Sequence, residues 1–247
     1  MIIVANWKAY VEDIEKAKKL LAVAKRVGGA KGVQVVLAPS APYLGLLAAK
    51  THASVAFAGQ DVSVTTGGAQ TGESTAQILQ AAGATYVIVG HSERRAAGET
   101  DKAITEKIGH ALAHNLTPIL CVGEHERDED GRYLAFVRAQ ITSALEKLSP
   151  KERTKVILAY EPIWAIGKSA AEALPAHDLS EMVLYLRKVL AELLPGKSSL
   201  HSTVLYGGSV EPENARDLAG GSGVDGFLVG HASVDPVQFS DLVKKLS

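Results

Sequence analysis

A single cysteine, Cys121, stands among the 247 residues, which excludes an intrachain disulfide framework and any metal site built from several thiolates. Neither sign of charge is in surplus. The 26 basic and 27 acidic residues leave a formal net charge of −1, and no clustered basic face is available to hold a nucleic acid or an anionic membrane. A small charged metabolite stays open as a ligand. Long apolar runs are missing too: Met1-Ile2-Ile3-Val4-Ala5 stops at Asn6 and Lys8, too short for a signal-peptide core, and nothing approaches membrane-spanning length. A cytoplasmic protein is expected. Linkers, low-complexity tracts and composition shifts are also absent, so residues 1–247 read as one domain, whose 47% hydrophobic content supports a substantial core.

What the chain has throughout is alternation. Ile2 to Ala5 reads as a strand, and Ile14, Ala17, Leu21 and Ala24 recur behind it at helical spacing. Runs at Val33 to Leu37, Ser54 to Ala58, Tyr86 to Val89, Pro118 to Val122, Val156 to Tyr160, Thr203 to Tyr206 and Gly226 to Val229 are each followed by a helical pattern. That makes about eight βα units. Helix starts are predicted at Asp178, with Glu181 placed as in a capping box, and at Glu211-Pro212 and Asp235-Pro236, where proline would take the first helical position. Leu179, Met182, Val183, Leu186, Leu190 and Leu193 form one apolar stripe. Strands that are almost wholly apolar belong to a parallel sheet covered by helices. Such a sheet is either open, with its functional residues near one reversal of strand order, or closed into a barrel whose strand ends face a common centre.

The chemistry-bearing residues decide between these. Lys8 follows the first run, His91 the fourth, Glu161 the sixth, Gly207-Gly208-Ser209 the seventh and Gly230 the eighth. Only a closed barrel brings all of them to one mouth. Glu161 directly precedes Pro162-Ile163-Trp164-Ala165-Ile166-Gly167, whose stiff start and glycine tip suit a lid over a base. Asn6-Trp7-Lys8 interrupts an apolar strand with polar groups. His91 stands in Val89-Gly90-His91-Ser92-Glu93-Arg94-Arg95, where Ser92 is expected to cap a short helix whose N-terminus opposes positive charge on the ring. Tyr206-Gly207-Gly208-Ser209-Val210, and Gly230 before His231-Ala232-Ser233, would let backbone amides close on a phosphate, as barrels commonly do after strands seven and eight. Each feature has a plainer alternative: a solvated lysine, a packed histidine, a surface glutamate, an ordinary tight turn. Cys121 reads as packing. Gly167-Lys168-Ser169 mimics the end of a P-loop, but Pro162 stands where the first glycine is required, and His110 with His114 lacks the adjacent glutamate of a helical zinc motif.

Taken together and in order, Asn6-Trp7-Lys8, Gly90-His91-Ser92-Glu93-Arg94-Arg95, Cys121-Val122-Gly123-Glu124, Tyr160-Glu161-Pro162-Ile163-Trp164-Ala165-Ile166-Gly167 and Tyr206-Gly207-Gly208-Ser209-Val210 resemble the triosephosphate isomerase family over essentially the full chain. The resemblance implies an α/β fold, a single-domain (β/α)8 TIM barrel. It also implies interconversion of dihydroxyacetone phosphate and D-glyceraldehyde 3-phosphate in glycolysis and gluconeogenesis, with no cofactor and no metal. Glu161 is implied as the base that moves a proton between two substrate carbons through an enediolate, and neutral His91 as electrophile and proton shuttle. Lys8 would supply countercharge and Asn6 would orient the oxygens; Gly167, Ser209, Gly230 and the amide of His231 would hold the phosphate, and Glu93 would support Lys8 and His91. A homodimer is implied as well, with the long loop Gln60 to Ala76 carrying Thr71-Gly72-Glu73 toward the partner's Asn6 and Lys8. The chain departs from the family at His231, where a second glycine is usual, at Ala9-Tyr10-Val11, and at Lys168-Ser169-Ala170, where Thr-Gly-Lys is usual and the stretch to Pro175 is slightly long. Two other readings stay open: a different phosphate-binding barrel enzyme such as a sugar-phosphate epimerase, and a catalytically silent barrel scaffold.

Overall fold

Eight parallel strands hydrogen-bond in sequence order and close on themselves, the first pairing with the last. They are β1 (Ile2–Asn6), β2 (Gln34–Ala38), β3 (Val55–Gly59), β4 (Tyr86–Val89), β5 (Thr117–Val122), β6 (Ile157–Tyr160), β7 (Val204–Tyr206) and β8 (Gly226–Val229). The structure is a computed structural model that describes residues 1–49, 53–168, 172–194, 196 and 202–247. The helices among them are α1 (Ile14–Val27), α2 (Ala41–Ala48), α3 (Ala76–Ala81), α4 (Ser92–Ala96), α5 (Asp101–Ala113), α6 (Arg132–Leu145), α7 (Pro150–Arg153), α8 (Ala176–Leu193), α9 (Ala215–Gly221) and α10 (Pro236–Lys245). This is the (β/α)8 barrel that the scattered strand ends require. None of the described helices is long and apolar enough to cross a membrane.

Successive residues of a strand face opposite sides of the sheet, so each strand contributes to two cores. Val4, Val36, Ala58, Ile88, Ile119, Cys121, Ile157, Ala159, Leu205 and Leu228 fill the barrel interior. Their neighbours Ile3, Ala5, Val35, Leu37, Val87, Val89, Leu120, Leu158 and Tyr160 face outward and pack under the helices. The predicted stripes do the covering: α1 buries Ala17, Leu20, Leu21, Ala24 and Val27, and α8 buries Leu179, Met182, Val183, Leu186, Val189 and Leu190. Full burial of such a side chain is worth about 1.5–3 kcal/mol.

Two predicted helix starts are displaced. α8 begins at Ala176, directly after Pro175, so Asp178 sits within its first turn instead of capping it. There the carboxylate lies near the unsatisfied amides without closing a capping box. Pro212 is not the first residue of a helix either: residues 212–214 form a turn and α9 starts at Ala215. Asn214 holds that turn, its Oδ1 accepting from the Glu211 amide at 2.9 Å and its Nδ2 donating to the Ser209 carbonyl at 3.1 Å. Asp235 behaves as expected, accepting from the amides of Val237 and Gln238 at 2.8 Å each ahead of Pro236.

One buried ion cluster ties the loop after β3 to the segment after β4. Lys107 on α5, with only 5% of its side chain exposed, donates to both carboxylate oxygens of Asp61, at 2.7 and 2.9 Å, and to Glu99. Arg94 on α4 reaches Asp61 at 2.8 Å. Burial pushes the Asp61 carboxyl up, and Lys107 opposes that shift. Removing one partner of such a cluster strands the other charges away from water. Lys107→Met is therefore expected to cost about 3–5 kcal/mol, read as a lower urea midpoint; an unchanged midpoint would show that Arg94 alone suffices for Asp61 and Glu99.

Candidate active site

The interior parity explains how polar groups reach the barrel mouth. In β1 the inward positions run Ile2, Val4, Asn6, and in β6 they run Ile157, Ala159, Glu161, so each polar residue is the next inward step beyond the last apolar layer. Asn6 is 5% exposed and Glu161 2%. Space for the Glu161 backbone and side chain comes from missing side chains. A Cβ on Gly123 would stand 1.8 Å from the Glu161 carbonyl oxygen, and one on Gly207 would stand 2.9 Å from Glu161 Cγ.

Glu161 is held by the segment after β4. Its Oε2 accepts from the Ser92 amide at 3.0 Å and its Oε1 lies 3.1 Å from His91 Nε2. The other ring nitrogen, Nδ1, accepts from the Glu93 amide at 3.2 Å, so His91 itself, not Ser92, is the N-cap of α4. A ring nitrogen that accepts carries no proton, which leaves the imidazole proton on Nε2, pointing at Glu161. Glu93 in turn takes the Lys8 ammonium at 2.7 Å. A continuous path of contacts thus runs from Glu161 through His91 and Glu93 to Lys8.

Lys8 sits in a costly backbone conformation, with φ of +46°. A non-glycine residue there loses about 1–3 kcal/mol and persists only when its surroundings over-determine it. Its carbonyl accepts from Gln60 Nε2 at 2.9 Å and Ser40 Oγ at 3.2 Å, and its amide donates to Asn6 Oδ1 at 3.1 Å. Sequence reasoning passed over Gln60 and Ser40, because nothing in the order of residues marks a left-handed lysine.

Two cavities meet at Lys8. One is lined by Asn6, Lys8, His91 and Glu93; the other, of about 360 Å³, is lined by Lys8, Gly167, Ser209, Gly230 and His231 among others. A Cβ on Gly230 would lie 3.6 Å from Lys8 Cε. The expected phosphate-binding residues Lys8, Gly167, Ser209, Gly230 and His231 are therefore brought together, and His231 is the first residue of a short 3-10 helix that ends at Ser233. Glu161 lines neither cavity and faces a closed space beside Ser92 and Cys121. Burial raises the Cys121 thiol well above its ordinary value, and the Glu161 carboxylate adds to that, so the residue remains a packing group. Thr71 lies on an exposed loop whose next residues, Gly72, Glu73 and Ser74, line the cavity of Asn6 and Lys8. Among the described residues no three His, Cys, Asp or Glu side chains are placed to hold a metal ion.

The segment after Glu161 is anchored by Glu124, another residue to which sequence reasoning gave no role, although the Cys-Val-Gly-Glu motif was the available signal. Its Oε1 accepts from Tyr160 Oη at 2.7 Å and from Trp164 Nε1 at 2.9 Å, and its backbone oxygen accepts from the Ile163 amide at 3.0 Å. Burial raises the Tyr160 phenol, and the neighbouring Glu124 charge raises it further, so it stays a donor. Ser209 Oγ donates to the Ala165 carbonyl at 3.0 Å, joining this segment to the loop after β7. The altered stretch after Gly167 falls outside the described residues at positions 169–171.

Fold and side chains together define a (β/α)8 barrel with a buried carboxylate, an imidazole and an ammonium gathered at the C-terminal ends of its strands. A family model described as Triosephosphate isomerase matches residues 1–246. Proteins named triosephosphate isomerase from Symbiobacterium thermophilum, Roseiflexus sp. (strain RS-1) and Thermoanaerobacter pseudethanolicus are 37%, 38% and 36% identical to the chain. Those matches cover 97%, 98% and 98% of this chain and 94%, 96% and 98% of the relatives. The chain belongs to the triosephosphate isomerase family, and it is an isomerase acting on triose phosphates.

The Gly207 contact provides a test of how tightly the carboxylate is placed. Gly207→Ala should push Glu161 from its position and lower kcat roughly 100-fold while the circular dichroism spectrum stays that of the parent; unchanged kcat would show that the side chain has room to spare.

Proposed function

We propose that Glu161 carries the proton between the two substrate carbons of dihydroxyacetone phosphate and D-glyceraldehyde 3-phosphate, with His91 as the electrophile. The observation that carries this reading is the His91 ring, whose Nε2 lies 3.1 Å from Glu161 Oε1 while its Nδ1 is committed to the Glu93 amide. A substrate oxygen entering between ring and carboxylate would take over the Nε2 proton as its hydrogen-bond donor. Glu161 would then leave the Ser92 amide and turn toward carbon. The carboxylate removes the proton from the carbon beside the carbonyl, and that C–H electron pair becomes the new C=C bond. The carbonyl π pair moves onto oxygen, giving an enediolate that the His91 N–H stabilises and through which protons pass between the two oxygens. Returning the carbon proton to the neighbouring carbon completes the isomerisation with nothing gained or lost.

Lys8 supports the same step by charge. Its ammonium stands at the junction of the two cavities, near both the developing oxyanion and the phosphate, and a water-poor mouth makes such a charge worth more than it is in solution. Asn6 orients the oxygens and fixes the Lys8 amide. Gly167, Ser209, Gly230 and the His231 amide hold the phosphate, and Glu93 positions Lys8 and His91. The segment from Pro162 closes over the site, excluding water and holding the enediolate against loss of its phosphate. We place this activity in glycolysis and gluconeogenesis, in the cytoplasm, and read residues 1–247 as one domain.

The carboxylate and imidazole roles are tested in a purified-protein assay of glyceraldehyde 3-phosphate conversion. Glu161→Gln and His91→Ala should each lower kcat by about 10²–10⁴-fold with the fold retained; near-parental turnover in both would overturn the assignment, and a folded but inactive parent protein would revive the silent scaffold. The proposed homodimer rests on the length and exposure of the loop around Thr71 beside the cavity of Asn6 and Lys8. Thr71→Arg should weaken association at least about tenfold by sedimentation and lower activity in parallel, whereas a fully active monomer would sink the loop's role.

A further inference from the structure

The loop after β7 puts an acid where an anion is proposed to bind. Glu211 lines the cavity of about 360 Å³ together with Ser209 and Gly230, and only 23% of its side chain is exposed. A carboxylate on that wall would repel a phosphate dianion unless something opposes its charge. The side chain placed to do so belongs to the loop after β8: His231 Nδ1 lies 3.8 Å from Glu211 Oε1. From the third side, the loop after β1, the Tyr10 ring meets the imidazole edge to face, at 6.5 Å between centroids and 89° between planes. Burial pushes the Glu211 carboxyl up, His231 acts against that, and Glu213 adds to it.

We propose that His231 acts at the phosphate pocket through Glu211, its imidazole pairing with the carboxylate so that an acidic wall does not repel the substrate's phosphate. This rests on the reading of the cavity as the phosphate site. The pairing gives the side chain of His231 a task that its backbone amide does not have, and makes Glu211, His231 and Tyr10 one rim drawn from three loops. The charged and titratable groups around the imidazole are Glu211 beside it, Tyr10 against its face, and the ammonium groups of Lys8 and Lys168, which line the same cavity. His231 is a positioning residue on this view, since it changes anion affinity by controlling a neighbour's charge.

The test is a double-mutant cycle read by inhibition with inorganic phosphate and with sulfate, and by direct calorimetric titration of both. His231→Ala should weaken both anions about two- to fivefold, the range an exposed ion pair supports. In a Glu211→Gln background the same change should have little effect. An equal penalty in both backgrounds, no penalty at all, or a fall in melting temperature without a change in anion affinity would overturn the pairing. If neither anion binds the parent enzyme, the phosphate-site reading itself fails, an outcome distinct from the other three.

Discussion

Closure of the parallel sheet is the constraint on which the rest depends. Once β1 pairs with β8, every strand has one face turned into a space that only its own inward residues can fill. The inward series is apolar through Val4, Ile88, Cys121, Ala159 and Leu205. The next inward step in β1 is Asn6 and in β6 is Glu161. Polar groups therefore collect at one end with no special device, held on strand ends instead of on free loops. The glycines beside them follow from the same crowding, since a Cβ on Gly123 would strike the Glu161 backbone and one on Gly207 its side chain.

The site built on that frame is a path of shared charge. Glu161, His91, Glu93 and Lys8 are linked in series, the Glu93 amide at the start of α4 supplying one link, while the Ser92 amide beside it holds the other oxygen of Glu161. A five-residue helix thus sets the ring's tautomer and parks the carboxylate. Both Glu161 oxygens are engaged by protein groups, so the proposed base waits in a closed space and meets substrate only when that engagement is exchanged. Lys8 is held at the cost of a left-handed backbone, with Gln60 and Ser40 from two neighbouring loops acting as the restraint.

Much of this was legible in the residue order, and the misses share a cause. All eight strands lie within a residue or so of their apolar runs, because alternation and chain punctuation are local properties. Asp178 and Pro212 misled for the opposite reason: each carried a local helix-start signal, but Pro175 had already set the start of α8, and Asn214 folded the Pro212 segment into a turn of its own. Ser92 looked like a cap because serines commonly are, whereas the His91 ring reached the amide first. Gln60 and Ser40 could not be assigned, since their partners lie about 30 to 50 residues away along the chain.

By itself, the sequence determined the class of fold, the polar residues at the strand ends and the family they belong to, because periodicity, turn chemistry and motif order are carried by neighbours in the chain. Only the tertiary structure decided which nitrogen of His91 faces Glu161, why Lys8 tolerates its backbone, and that Glu211 lies beside His231 on the wall of one cavity. Those are distances between residues from different strands, and such distances exist only after the barrel has closed.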